Sequence, residues 1–250
     1  MALSSQYLID IALDREDVDS FDVYPFNLSA VKHLQRLPLH PEVTFIIGEN
    51  GAGKSTLLEA IAVAWGFNAE GGSLSFRFDT RASHSALHQH LRLSRGVQRP
   101  RTGYFLRAES FFNVATQIEK LDEDFPNIAK IGPAYGKRAL HEQSHGESFL
   151  ALLTERFQGR GFYILDEPEA ALSPNRQLTV LARLRQLVAA GSQFLIATHS
   201  PLIMAYPGAR IYQLGEGGIR EVEYQATEHY AVTKAFLNNP QKMLDVLMEE

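Results

Sequence analysis

Cysteine is absent from the 250 residues, which excludes disulfides, thiolate zinc sites, iron–sulfur clusters and cysteine nucleophiles. Long apolar runs are also missing. The longest, Ala60 to Phe67 (AIAVAWGF), holds eight residues including a glycine, against the ~20 that a membrane-spanning helix needs. The opening residues MALSSQYLID lack the basic-then-apolar pairing of a signal peptide, so a soluble, cytoplasmic protein with no membrane partner is expected. Nor is there a strong charge of one sign: a net charge of −5 supplies no global field for nucleic acid. Internal repeats, low-complexity tracts and sustained heptads are lacking too. What remains is an ordinary globular balance, 45% hydrophobic and 21% charged, in a chain long enough to bury a core without staples.

Periodicity supplies the elements. Residues 6–13 (QYLIDIAL) read as a strand, and Val43–Ile47 (VTFII) is short, apolar and β-branched, as a parallel strand buried on both faces should be. It runs into a glycine-rich turn and then Ser55–Trp65, a helix with Leu57, Leu58, Ile61 and Ala62 on one face. Residues 73–79 (SLSFRFD) alternate, which predicts a strand paired with 87–93 and 103–107 in a smaller antiparallel lobe. Residues 110–142 read as mostly helical, broken at Pro126 and at Gly132-Pro133, and a further helix starts near Gly146. A strand at Phe162–Leu165, a helix at Asn175–Ala190 and a strand at Gln193–Ala197 follow. Their alternation argues for a parallel α/β core. A hairpin over 209–225 turning at Gly217-Gly218, and a last helix near 231–248, complete the pattern.

Four segments carry chemistry. Gly48-Glu49-Asn50-Gly51-Ala52-Gly53-Lys54-Ser55-Thr56 fits GxxxxGK[ST] between a strand and a helix, the context a phosphate-binding loop requires. Its glycines let successive amides turn inward, and the helix that follows offers unpaired N–H groups and a positive dipole end. Lys54 would reach the β- and γ-phosphates of a nucleotide, and Ser55 would hold magnesium. Phe162-Tyr-Ile-Leu165 ends in Asp166-Glu167-Pro168-Glu169. Asp166 at the strand tip can reach the magnesium shell, and Glu167 can act as general base toward water. Thirty-three residues after Asp166, the strand Phe194-Leu-Ile196 leads to Ala197-Thr198-His199-Ser200-Pro201, which puts His199 where ligands of open α/β sheets bind. Ser144-His145-Gly146-Glu147-Ser148 lies 22 residues before Asp166 and offers a hydroxyl, an N–H and a helix start for an anion.

In this order GENGAGKST, SHGES, FYILDEPEAALSP and ATHSP resemble the Walker A, signature, Walker B with D-loop, and switch-histidine motifs of ABC-type ATPases. The DEPEAALSP and ATHSP spellings, with YPFNLSAV upstream, are most similar to the RecF/SMC/OLD-like branch. FLRAESFFNVA, Phe105 to Ala115, resembles a segment of stand-alone bacterial ATPases in it. The resemblance covers nearly the whole chain. It implies an α/β P-loop NTPase head: a mixed parallel core sheet, a smaller antiparallel β lobe and a helical subdomain, as a single domain over 1–250. Within it 1–110 would hold the antiparallel lobe and P-loop, 111–160 the helical signature subdomain, 161–225 the Walker B and switch-histidine core, and 226–250 a C-terminal helix.

The resemblance also implies ATP and Mg²⁺ as ligands and a head-to-tail homodimer with nucleotide sandwiched between protomers. Gly48 to Thr56 of one copy would bind the triphosphate while Ser144 and Gly146 of the other cap its γ-phosphate. Lys54, Glu167 and His199 would be the catalytic groups. Ser55 and Asp166 would bind the metal, with Glu109 at the Q-loop position and Gln117 its alternative. The D-loop aspartate is replaced by Ser173. Tyr24 and Phe26 lie where an aromatic could stack on adenine, and core packing is the competing reading for both. Transport would need a partner's membrane segment.

Between Arg77 and Arg107 seven arginines (77, 81, 92, 95, 99, 101, 107) face a single acid, Asp79. Such a cluster could bind nucleic acid, but an ATP-site, interface or structural role is favoured because the whole chain is acidic. His84, His88 and His90 have no acid or cysteine beside them and are not expected to hold a metal. The acidic run 119–124 reads as a solvated helix face. Two function classes remain: an ATP hydrolase coupled to an unknown partner or nucleic-acid process, and a slow-hydrolysing switch whose ATP-dependent dimerisation makes it a binding module. Both need the same loop. Lys54→Ala is therefore expected to abolish binding of a fluorescent ATP analogue, since a cation aimed at the phosphates is lost; undiminished affinity would overturn the P-loop assignment.

Overall fold

The computed structural model describes residues 6–74, 85–107, 145–170 and 172–248. Glu109, Gln117, Ser144, Arg77, Arg81, His84, residues 75–79 of the alternating segment, the span 110–142 expected to be helical and the acidic run all lie outside them. The strands are β1 (Leu8–Leu13), β2 (Arg36–Pro38), β3 (Val43–Gly48), β4 (Gly72–Ser73), β5 (Leu91–Arg95), β6 (Thr102–Arg107), β7 (Gly161–Asp166), β8 (Gln193–Ala197), β9 (Arg210–Gly215) and β10 (Gly218–Glu221). The helices are α1 (Ser29–Lys32), α2 (Lys54–Trp65), α3 (His145–Ala151), α4 (Pro174–Ala189), α5 (Glu228–Asn238) and α6 (Pro240–Met248). A π-helical turn, Leu152–Arg156, continues α3. Among the described residues no helix is long and apolar enough to cross a membrane.

Seven strands form the main sheet in the order β10-β9-β3-β8-β7-β6-β4, and β2-β1-β5 form a second. From β9 to β6 the main sheet is parallel, with antiparallel β10 and β4 at its edges. The parallel strands read as apolar runs because both their faces are covered. Alternation sorts them: Val43, Phe45, Ile47, Tyr163, Leu165, Phe194 and Ile196 face one core with Val180, Leu184 and Leu187 of α4. Ile46, Phe162, Ile164 and Leu195 face the other with Leu57, Leu58 and Ile61 of α2. α2 ends at Gly66, φ 117°. There Arg95 donates to the carbonyls of Ala64 (3.1 Å) and Trp65 (3.2 Å) and lies 4.4 Å over the Trp65 ring, placing a cation on the negative end of the helix.

The expected antiparallel lobe is wired differently. β5 pairs with β1 in the second sheet, whereas β6 takes β4 antiparallel on one side, as expected for 103–107, and runs parallel to β7 on the other. Burial gives the reason: β6 keeps Gly103 to Leu106 buried in succession, the mark of a strand covered on both faces, whereas β5 has one wet face. Within the alternating segment Ser73 pairs with Tyr104, and Gly72 just before it pairs with Phe105. The last helix is two, broken at Asn239, φ −153°, because Pro240 disfavours a helical residue before it.

Gln193, 1% exposed, fastens the sheets together. Its Oε1 accepts from the amides of Tyr7 (3.0 Å) and Leu8 (2.9 Å), and its Nε2 donates to the carbonyls of Leu8 (2.8 Å) and His40 (3.0 Å). Gln193→Leu keeps the bulk and strands two buried donors at about 1–3 kcal/mol each. Urea unfolding should show a loss of about 3 kcal/mol; an unchanged midpoint would mean the amides find other acceptors.

Candidate active site

β3, β8 and β7 are neighbours whose register sets Ile46 beside Ala197 and Ala197 beside Asp166. Their C-terminal ends therefore release three loops along one edge, the crevice where open α/β sheets bind ligands. The first loop turns on glycines. Gly48 has φ 149°, and a Cβ there would lie 2.6 Å from the Leu214 carbonyl oxygen; Gly53, at φ 92°, is the N-cap of α2. Lys54 is 4% exposed and folds back on the loop, donating to the carbonyls of Gly48 (2.9 Å) and Glu49 (2.8 Å). Burial pushes its pKa down, while Glu167, Asp166 and Glu169 pull it up. Glu49, Asn50 and Gly51 at the loop's tip are exposed.

Ser55 Oγ donates to Asp166 Oδ1 at 3.2 Å. Across Asp166, Arg107 Nε stands 3.8 Å from Oδ2, and Arg107 Nη1 donates to Glu59 Oε2 at 2.6 Å. Beyond Asp166 the chain turns on Glu167, whose φ of 53° is strained for a residue with a side chain and whose N–H donates to the Ala197 carbonyl (3.0 Å). Its Oε1 lies 3.5 Å from His199 Nε2. Glu169 Oε1 accepts the His199 backbone N–H at 2.5 Å, fixing the third loop to the second, and burial pushes the Glu169 carboxyl up. The other His199 nitrogen, Nδ1, is 3.4 Å from Nε2 of His229 at the start of α5. Burial, then the Lys54 charge, push the His199 pKa down, opposed by Glu167.

Two cavities adjoin this edge. One of about 370 Å³ lies between residues 48–52, Ser29, residues 213–216 and Glu228–His229. The other, about 390 Å³, is lined by Glu49, Asn50, His199, Glu228, His229, Val232 and Thr233. Tyr24 is 63% exposed, with its hydroxyl 3.3 Å from Thr56 Oγ1. Phe26 belongs to the core, edge-on to His90 at 4.9 Å, so the two aromatic candidates part. A hydroxyl and a carboxylate 3.2 Å apart suit Mg²⁺, which keeps waters and takes phosphate oxygens beside one or two protein ligands. No group of three His, Cys, Asp or Glu able to hold a metal occurs among the described residues.

Gly48 to Thr56, Asp166, Glu167 and His199 thus meet. Gly146 lies in α3, whose Phe149 packs in the same core as α4, and Glu147 pairs with Arg176 (3.3 Å). Ser173 is the N-cap residue of α4. Arg92 pairs with Asp14, and Arg95 and Arg107 are engaged as described. Sequence reasoning missed the contacts of Arg107, Glu169 and His229; only the last acid of DEPE signalled one of them. Gly48→Ala should cost about 1–3 kcal/mol, because positive φ and the Leu214 carbonyl both oppose a methyl group. A wild-type thermal midpoint would show the loop can shift without penalty.

Two family models match the chain. One is described as an AAA domain and matches residues 24–126; the other, "AAA domain, putative AbiEii toxin, Type IV TA system", matches residues 107–205. An "Uncharacterized ABC transporter ATP-binding protein" of Haemophilus influenzae is 28% identical over 204 residues, 74% of each chain. Among solved structures, cbiO1 from Clostridium perfringens, part of the ABC transporter complex cbiONQ, has 16% identity and a TM-score of 0.47, covering 98% of this chain and 100% of that one. The SMC head domain from Thermotoga maritima has 16% identity and a TM-score of 0.42, covering 87% and 100%.

Proposed function

We propose that this chain is an ABC-type ATPase of the RecF/SMC-like branch and hydrolyses ATP to ADP and phosphate between two copies arranged head to tail, a reading that the AAA-domain matches and the ABC transporter relative support. One observation carries the reading: the Ser55–Asp166 pair and the Glu167–His199 pair, at 3.2 and 3.5 Å, stand at the ends of neighbouring parallel strands beside the glycine loop. Residues 48–56 cradle the triphosphate, and Lys54 leaves the Gly48 and Glu49 carbonyls for the β- and γ-phosphates. Tyr24, exposed and tethered to Thr56, stacks on the adenine. Magnesium, held by Ser55 Oγ and the Asp166 carboxylate, would neutralise charge on the phosphates. Glu167 takes the proton of the attacking water, and His199 donates to the γ-phosphate. Ser144 and Gly146 of the second copy cap that phosphate with a hydroxyl and a backbone N–H.

The engaged positions of Arg92, Arg95 and Arg107 support a structural and site role for the arginine span and leave nucleic acid the less favoured partner. A protein partner coupled to the dimer cycle fits the same reading, as does a cytoplasmic location.

Glu167→Gln keeps the shape and removes the proton acceptor, a role worth about 10²–10⁴ in rate. The variant is expected to bind ATP, to hydrolyse it slower by that factor and to accumulate as dimer in light scattering when ATP is present. Monomer at every ATP concentration would sink the sandwich, and a wild-type rate would remove Glu167 from its role.

A further inference from the structure

The start of α5 is fastened to the switch loop by a chain of specific bonds. Thr227, fully buried, caps the helix by accepting from the Tyr230 N–H (3.3 Å) and donates to the Tyr224 carbonyl (2.7 Å). Tyr224 in turn donates to the Pro201 carbonyl at 2.9 Å, two residues past His199, and packs edge-on to Tyr230 at 4.8 Å. No residue of α5 or α6 is buried. The segment is thus anchored at the end that carries His229.

His229 Nε2 reaches His199 Nδ1 at 3.4 Å, while His199 Nε2 faces Glu167 Oε1 at 3.5 Å. A neutral imidazole carries one N–H, and the bond made by one nitrogen decides which nitrogen holds it. Were the proton on Nδ1, the bare Nε2 lone pair would oppose the Glu167 carboxylate. With the proton on Nε2, that nitrogen donates toward Glu167 and the site of the terminal phosphate, and Nδ1 accepts from His229.

We propose that His229 is a positioning residue: its Nε2–H donates to His199 Nδ1 and so holds His199 as the Nε2–H tautomer that the γ-phosphate requires. The proposal rests on the reading of His199 as a γ-phosphate donor. Burial supports it, because it pushes both imidazoles toward the neutral form. For His199, Lys54 acts in the same direction and Glu167 against it. For His229, His199 and Lys54 act in the same direction, and Glu228 and Glu169 against it. Neutral His229 with its proton on Nε2 leaves Nδ1 bare; that Nδ1 and His199 Nε2 are both buried without a hydrogen-bond partner among the described residues, which leaves the His199 N–H unspent for an incoming phosphate.

The test compares His229→Gln, whose amide nitrogen reaches the Nε2 position, with His229→Asn, which is too short, and His229→Leu, which has no donor. Imidazole ¹⁵N NMR of the full chain at neutral pH without nucleotide should show His199 as the Nε2–H tautomer in the wild type and His229→Gln, and as a mixture in the other two. In steady-state phosphate release, kcat should fall about 10–100-fold in the Asn and Leu variants, the scale of outer-shell losses around a histidine, with KM for ATP held and kcat recovered in the Gln variant. Equal behaviour of all three, whether wild-type or impaired, would overturn the proposal. If the wild type releases no phosphate, the reading of the chain as a hydrolase fails while the NMR still decides the tautomer.

Discussion

Strand β7 delivers a nearly buried carboxylate, Asp166, to a sheet edge already bordered by Glu59, Glu167 and Glu169, and much else in the site answers that concentration of negative charge. Carboxylates gathered away from water repel one another and need cations or donors. Lys54 lies within their field, Arg107 bridges Glu59 and Asp166, the Ser55 hydroxyl points at Asp166, and the His199 backbone amide donates to one oxygen of Glu169. The triphosphate of the proposed function would enter as a further anion, and the glycine loop's amides and the N-terminus of α2 would provide its counterweight.

The sheet makes this crowding achievable. Strands buried on both faces cannot slip by one residue without turning apolar side chains into the wrong core. The levels of Ile46, Ala197 and Asp166 are therefore set far from the loops themselves, by Phe45, Phe194 and Tyr163 in one core and Leu195 and Ile164 in the other. The strained turn at Glu167 rests on this frame: its amide is held by Ala197, the last residue of the adjacent strand.

The glycine loop, Asp166 and Glu167 at the end of β7 and the histidine after β8 were legible because each is written locally, as a strand that ends and a loop of fixed chemistry. The parallel core was legible for the same reason. Which sheet each early strand joins was not, since Leu91–Arg95 and Thr102–Arg107 look alike as short strands and only their burial separates them. Arg107 was visible as one of seven arginines, but its partners Glu59 and Asp166 are 48 and 59 positions away. His229 meets His199 thirty residues on, through a helix whose surface pattern marks no site. Gln193 looked like the polar start of a strand.

That glutamine alters how the N-terminal strand relates to the chemistry. β8 is a five-residue rod, roughly 16 Å long at 3.3 Å per residue. At its lower end Gln193 grips Tyr7 and Leu8, and just past its upper end Glu169 and His229 grip residue 199. A rod clamped at both ends and packed along both flanks has little room to bend. The small sheet is thereby a footing for the histidine loop, and any tilt of β8 under load at the top must also displace β1 at the bottom.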